Sequence, residues 1–176
     1  MRFLTAEESK VWCGGVVPLS GEGKPQPPIN ERHHARCDIP ASFTRLTWFC
    51  QHLERCLQPR DACLLWVTGW GIWGSSENLH LYYRVRQSYG DLRLLSEAPG
   101  HLFLPYEAAD LVTFLQIGIL CGWDMHLLPA AGHARAFVSH DEYVEFASDD
   151  KNPTLVTDFS APLLKPAPAG PGAPSA

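Results

Sequence analysis

An α+β fold, with a mixed and largely antiparallel sheet, a central hairpin and helices packed against it, is predicted by three features of this sequence. Apolar residues recur at spacings of three and four between 42 and 57. A nearly continuous apolar stretch follows Pro105. Five short runs, at 62–68, 79–94, 101–104, 123–128 and 134–138, have the length and composition of strands. Strand runs outnumber helical ones and do not alternate with them regularly, which points away from a parallel α/β sheet. With 176 residues, 45% of them hydrophobic, the chain suits one domain with a sizeable core. That domain is expected over 1–150, and the Pro/Ala/Gly-rich segment 151–176 is expected to be a largely disordered tail.

The elements follow in order. A short N-terminal element is joined to the body by 18–30, rich in Pro and Gly and poor in apolar side chains, which reads as a long loop. Ser42 can cap a helix whose buried stripe is Leu46, Phe49, Cys50, Leu53 and Leu57, stopped by Pro59. Residues Ala62–Thr68 read as a buried central strand. Residues 79–86 alternate apolar and polar, and with the turn Ser88–Asp91 and the strand Leu92–Leu94 they predict the central hairpin; a helix opened by Ser75–Glu77 is the rival reading. His101–Leu104 is a short strand. Pro105, Glu107 and Asp110 suit the start of a helix that runs to Cys121 and stops at Gly122, and its all-round apolar surface predicts deep burial. Trp123–Leu128 and Ala134–Val138 form a strand pair. Ser139 followed by Glu142 fits a capping box, predicting a last helix to Ala147. Leu155–Phe159 is a candidate last strand or docking strip.

Charge and targeting signals narrow the function classes. A net charge of −5 and a pI of about 5.9 run against nucleic-acid binding, which needs surplus Lys and Arg to displace phosphate counterions. No run approaches the roughly 18 apolar residues of a membrane span. The first residues carry Glu7 and Glu8 where a secretion signal would be apolar. Six cysteines without any CxxC pair, several among apolar neighbours, read as buried thiols. A reduced, cytoplasmic protein is the expectation.

Several constellations invite a chemical reading, and each has a structural alternative. His33, His34 and Cys37 offer zinc-binding atoms, but adjacent histidines do not readily share a metal and no second ligand pair follows, so no metal site is assigned. Gly69, Gly71 and Gly74 match the bare spacing of a dinucleotide loop. Trp70, Ile72 and Trp73 crowd that loop and the chain beyond it reads as strand, so no nucleotide cofactor is assigned. His140 and Asp141 with a cysteine would make a nucleophilic site, yet the capping box accounts for the same segment, and no catalytic residue is assigned.

A binding surface is the reading these residues support best. Trp70, Trp73 and Tyr82 are aromatic anchors of the kind enriched at binding hot spots. Arg84 and Arg86 share the hairpin face of Tyr82, and Asp141, Glu142, Glu145, Asp149 and Asp150 form an acidic stretch on the last helix. The expected function is therefore a non-enzymatic protein that occludes another protein, a basic one being suited to the acidic stretch, as immunity or inhibitor proteins do to a toxin. A small hydrolase or transferase using His with Cys or Asp is the first alternative. A small-molecule-binding domain with an aromatic pocket is the second. Convergence of two or more of His80, His101, His126 and His140 with a cysteine would favour the enzyme.

Overall fold

The computed structural model describes residues 1–29, 33–57, 61–70, 79–131 and 133–148. The expected disordered tail and its 155–159 strip, together with Trp73, Asp149 and Asp150, lie outside them. Among the described residues eleven helices and strands follow one another: β1 (Arg2–Leu4), α1 (Ala6–Cys13), β2 (His34–Asp38), α2 (Phe43–Leu57), β3 (Cys63–Gly69), α3 (Leu79–Ser88), β4 (Gly100–Phe103), α4 (Ala108–Leu120), β5 (Asp124–Pro129), β6 (Ala134–Ser139) and β7 (Tyr143–Ser148). A 3₁₀ turn, Pro105–Glu107, leads into α4. The strands make one seven-stranded sheet in the order β1-β4-β3-β5-β6-β7-β2, and every pairing is antiparallel. The α+β expectation holds.

The register sorts the side chains onto two faces. Leu65, Val67, Phe103, Met125, Leu127, Val138, Val144 and Phe146 share one face, buried together with Leu46, Phe49 and Leu53 of α2 and Leu111, Phe114 and Leu115 of α4. The opposite face carries Leu4, Leu64, Trp66 and Leu128, which pack with Trp12, Cys13, Val17 and Leu19 of α1 and the chain beyond it. The Pro/Gly-rich stretch thus follows a chain that covers the second face, and the Gln26 carbonyl accepts a hydrogen bond from Arg135 of β6.

Helix α1 is fixed by a reciprocal cap: the Glu8 N–H donates to Thr5 Oγ1 (3.2 Å) and the Thr5 N–H to the Glu8 carboxylate (2.7 Å). It crosses the sheet closely at Gly100, where an added Cβ would lie 2.2 Å from Ser9 Oγ and 3.0 Å from Leu4 Cβ. Gly100→Ala is therefore expected to lower stability by about 1–3 kcal/mol, as overpacking does. The shift of the denaturation midpoint measures it; an unchanged midpoint would mean that α1 yields without cost.

Several local expectations fail, each for a readable reason. Residues 79–88 form a helix, not the hairpin: Tyr82 and Arg86, four apart, are its inward residues, because Asp91 neutralises Arg86 and lets a charged residue occupy an apolar face. Gly90 closes that helix, its N–H donating to the Gln87 carbonyl. Leu92 and Leu94, the expected return strand, are exposed and outside any strand. Residues 143–148 form a strand rather than a helix, since β6 on one side and β2 on the other complete their backbone hydrogen bonds. The Ser139–Glu142 segment is the turn between β6 and β7, with Glu142 at φ 64°. Finally, 34–38, for which no element is predicted, is an edge strand, and its alternation puts His34 and Cys37 on opposite faces, so they cannot share a metal.

Candidate functional site

The end of the sheet where β3, β5 and the β6–β7 turn meet brings together Trp70, Asp124, Asp141 and Glu142. Gly69, at the close of β3, pairs with Asp124 at the head of β5, after a register irregularity that follows Val67. A Cβ at position 69 would lie 2.7 Å from Asp124 Oδ2, so glycine is what lets the carboxylate lie against the strand. Trp70 comes next and is 45% exposed. Asp124 Oδ1 accepts two hydrogen bonds from His140, one from its backbone N–H and one from ring Nδ1, each 2.9 Å. The other ring nitrogen, Nε2, faces Asp141 Oδ1 at 3.5 Å. The hydrogen bond to Asp124, then the charges of Asp124 and Asp141, raise the His140 pKa above its ordinary value. Asp141 and Glu142 are exposed on the turn itself.

The expected surface residues therefore divide. Trp70, Asp141 and Glu142 come together at this end. Arg84 is exposed, on α3. Tyr82 and Arg86 are fully buried instead of facing solvent. Arg86 donates to the Tyr82 hydroxyl and to Asp91 Oδ1, its guanidinium lies 4.5 Å from the Phe3 ring centroid, and His101 Nε2 sits 3.3 Å from the same hydroxyl. This is a core network: each polar atom has a partner, which is the condition for burying it. Glu145 is 3% exposed, in the sheet rather than on an acidic helix. It pairs with His34 and, at 3.6 Å, with Arg36, whose guanidinium stacks 3.5 Å from the Tyr143 ring centroid. In sequence an acid within a charged run reads as solvated; in the fold the Arg36 guanidinium and the His34 ring, both from the edge strand, make its burial tolerable.

Asp124 was missed. Its signal was present, since it is the sole acid in the run 123–128, where His126 is the one other polar residue.

The histidines do not converge. His80 is exposed on α3, His101 lies in the α-helical face of the sheet among Phe3, Tyr82 and Phe114, and His140 stands at the sheet end. His126 lies on the opposite face, its ring 4.8 Å from that of Phe137, in a cross-strand row running Trp66, His126, Phe137, Glu145, Arg36. Burial lowers both His101 and His126 to about 3, so both rings are neutral, each keeping a single N–H, at neutral pH. All six cysteines are thiols. Burial pushes Cys13, Cys37, Cys50 and Cys63 up to about 12, far from the thiolate a nucleophile requires.

Grooves open elsewhere among the described residues. One of about 340 Å³ lies beside α1 and is lined by Leu4, Val11, Trp12 and Leu102 with Arg2, Glu7 and Glu8 at its rim. Another of about 520 Å³ lies between α2 and α4, lined by residues including Gln51, Glu54, Arg55, Val112 and Gln116. Neither carries a histidine or a cysteine on its wall. Among the described residues, no cluster of three or more His, Cys, Asp or Glu is arranged to hold a metal, and no helix is long and apolar enough to cross a membrane. Comparison with family models, with curated proteins and with solved structures gives no match.

Proposed function

We propose that this chain is a non-enzymatic protein-binding domain of immunity or inhibitor type that occludes a basic partner through the sheet end bearing Trp70, Asp141 and Glu142. The observation that carries this reading is that two features distant in sequence, the aromatic end of β3 and the acidic turn, are brought to one place by the Gly69–Asp124 pairing and the Asp124–His140 hydrogen bonds. An exposed indole offers a large contact area and a π-face for a partner's Arg or Lys, and the acids around it would steer a cationic surface. The thiols suit a reducing compartment, in line with a cytoplasmic site of action. The Asp124–His140 pair is what a hydrolytic reading would use, but its Nε2 faces a carboxylate, and the dispersed histidines and high thiol pKa values speak against that alternative.

Capture of partners on the full-length chain, followed by binding kinetics on variants, tests the proposal. Asp141→Lys with Glu142→Lys is expected to slow association and flatten its salt dependence, because exposed charges act through long-range fields. Trp70→Ala is expected to speed dissociation by roughly thirty-fold, about 2 kcal/mol for a central anchor. Both variants should keep the parent melting temperature, since these side chains are exposed. Binding that ignores all three substitutions would overturn this face.

A further inference from the structure

Strand β2 ends the sheet, with β7 on one side of it. The Ser148 N–H donates to the His33 carbonyl and the Ile39 N–H to the Glu142 carbonyl, so His33, Ala35, Cys37 and Ile39 turn their backbone groups toward β7. His34, Arg36 and Asp38 turn theirs outward, where among the described residues no strand meets them. An edge of this kind is a template for one more strand. Both flanks of the edge are partly uncovered. On the helical face Cys37 and Ile39 are half-buried against the core. Helix α2 touches α4 through Thr47 and Gln116, and its opposite flank carries the row Trp48, His52, Cys56. That row stands on the β2 side: Cys56 is among the neighbours that, after burial, raise the Cys37 thiol, and Trp48 stays 38% exposed. On the other face the Arg36 guanidinium, set between Glu145 and the Tyr143 ring, is more than half exposed.

We propose that the strip Thr154–Phe159 of this same chain docks on the outer edge of β2 as an eighth, parallel strand. Three constraints select this occupant. The first is reach. Ser148, where β7 ends, lies beside His33, at the start of β2. The outer side of β2 is two strand spacings away, about 10 Å, and the residues 149–153 between them span up to about 17 Å. A chain crossing there runs on in the direction of β2. The second is composition. Pro153, which has no N–H to give, precedes the run Thr-Leu-Val-Thr-Asp-Phe, rich in strand-forming residues, and Pro162 follows it. The third is pattern. Period two puts Leu155, Thr157 and Phe159 on one face and Thr154, Val156 and Asp158 on the other. With the first set toward the helices, Leu155 and Phe159 cover Cys37, Ile39 and the Trp48 flank, while Asp158 meets Arg36. In parallel strands, residues on a shared face aim their backbone groups the same way, so Thr157 aims its N–H at β2 just as Cys37 aims its own at β7. The docked strip closes an edge that otherwise invites another chain. It stands whether or not the partner-binding reading does.

Amide hydrogen exchange on the full chain tests it. The N–H groups of Arg36 and Asp38 are expected to exchange at least roughly ten-fold more slowly than their intrinsic rates. Deleting 154–176 should return both to near-intrinsic exchange while Ala35 and Cys37, which bond β7, stay protected; deleting 161–176 should change neither pair. Thr157→Pro in the full chain, which removes a donor without shortening the tail, should free the Arg36 and Asp38 amides in the same way. Free exchange of those two amides in the full chain would overturn the proposal. So would protection that survives the 154–176 deletion or that climbs with protein concentration, since a second copy would then hold the edge.

Discussion

Asp91→Ala is expected to cost about 3–5 kcal/mol of folding stability. Arg86 is fully buried, and Asp91 supplies the negative charge opposite it, Oδ1 accepting from Nε and Nη2 at 3.3 Å each. Without that carboxylate the guanidinium keeps the Tyr82 hydroxyl and the Phe3 face, neither of which carries charge. An uncompensated buried cation is among the most expensive defects a core can hold. Asp91 also fixes the chain beyond α3, accepting the Arg93 N–H at 2.8 Å. Burial by itself would raise the Asp91 carboxyl, but the Arg93 hydrogen bonds and the Arg86 charge hold it below its ordinary value, so it stays ionised at neutral pH. Denaturant midpoints give the measurement. Asp91→Asn, which keeps an acceptor oxygen, should lose less, and combining Asp91→Ala with Arg86→Met should recover part of the loss by removing the stranded charge. A loss below about 1 kcal/mol for Asp91→Ala would mean that Arg86 finds solvent or another acceptor.

Leu115→Ala is expected to cost about 2–5 kcal/mol. Leu115 is fully buried on α4 within the cluster that unites α2, α4 and the sheet. Truncation removes apolar contact and leaves a cavity that the surrounding strands, hydrogen-bonded on both sides, cannot collapse to fill. The exposed neighbour Thr113→Ala serves as the control on the same helix and should change stability by less than about 0.5 kcal/mol. Equal losses at the two positions would mean that α4 does not bury the face assigned to it.

Legibility followed how local the deciding interaction is. Helices α2 and α4 were readable because each carries its own burial stripe and stop signal, and β3 to β6 because their runs are too short and too apolar to be anything but buried strands. The Thr5–Glu8 cap of α1 was equally local and went unread. Trp70, Asp141 and Glu142 were singled out by residue type, but their meeting was not visible, since the link between them runs through Asp124 and the sheet register.

Sequence by itself determined that this chain builds an α+β core around α2, α4 and a set of antiparallel strands, because hydrophobic periodicity and chain-breaking residues act over a few neighbours. The tertiary structure alone decided the rest. Residues 79–88 satisfy both a two-residue and a three-to-four-residue period, and the choice fell to helix because Asp91 and Phe3 receive Arg86. Residues 34–38 and 143–148 became strands because each completes the other's backbone hydrogen bonds across more than a hundred residues of chain. Glu145 left the surface for the same reason: the cost of burying a charge depends on what the fold places opposite it, and that partner sits far away in sequence.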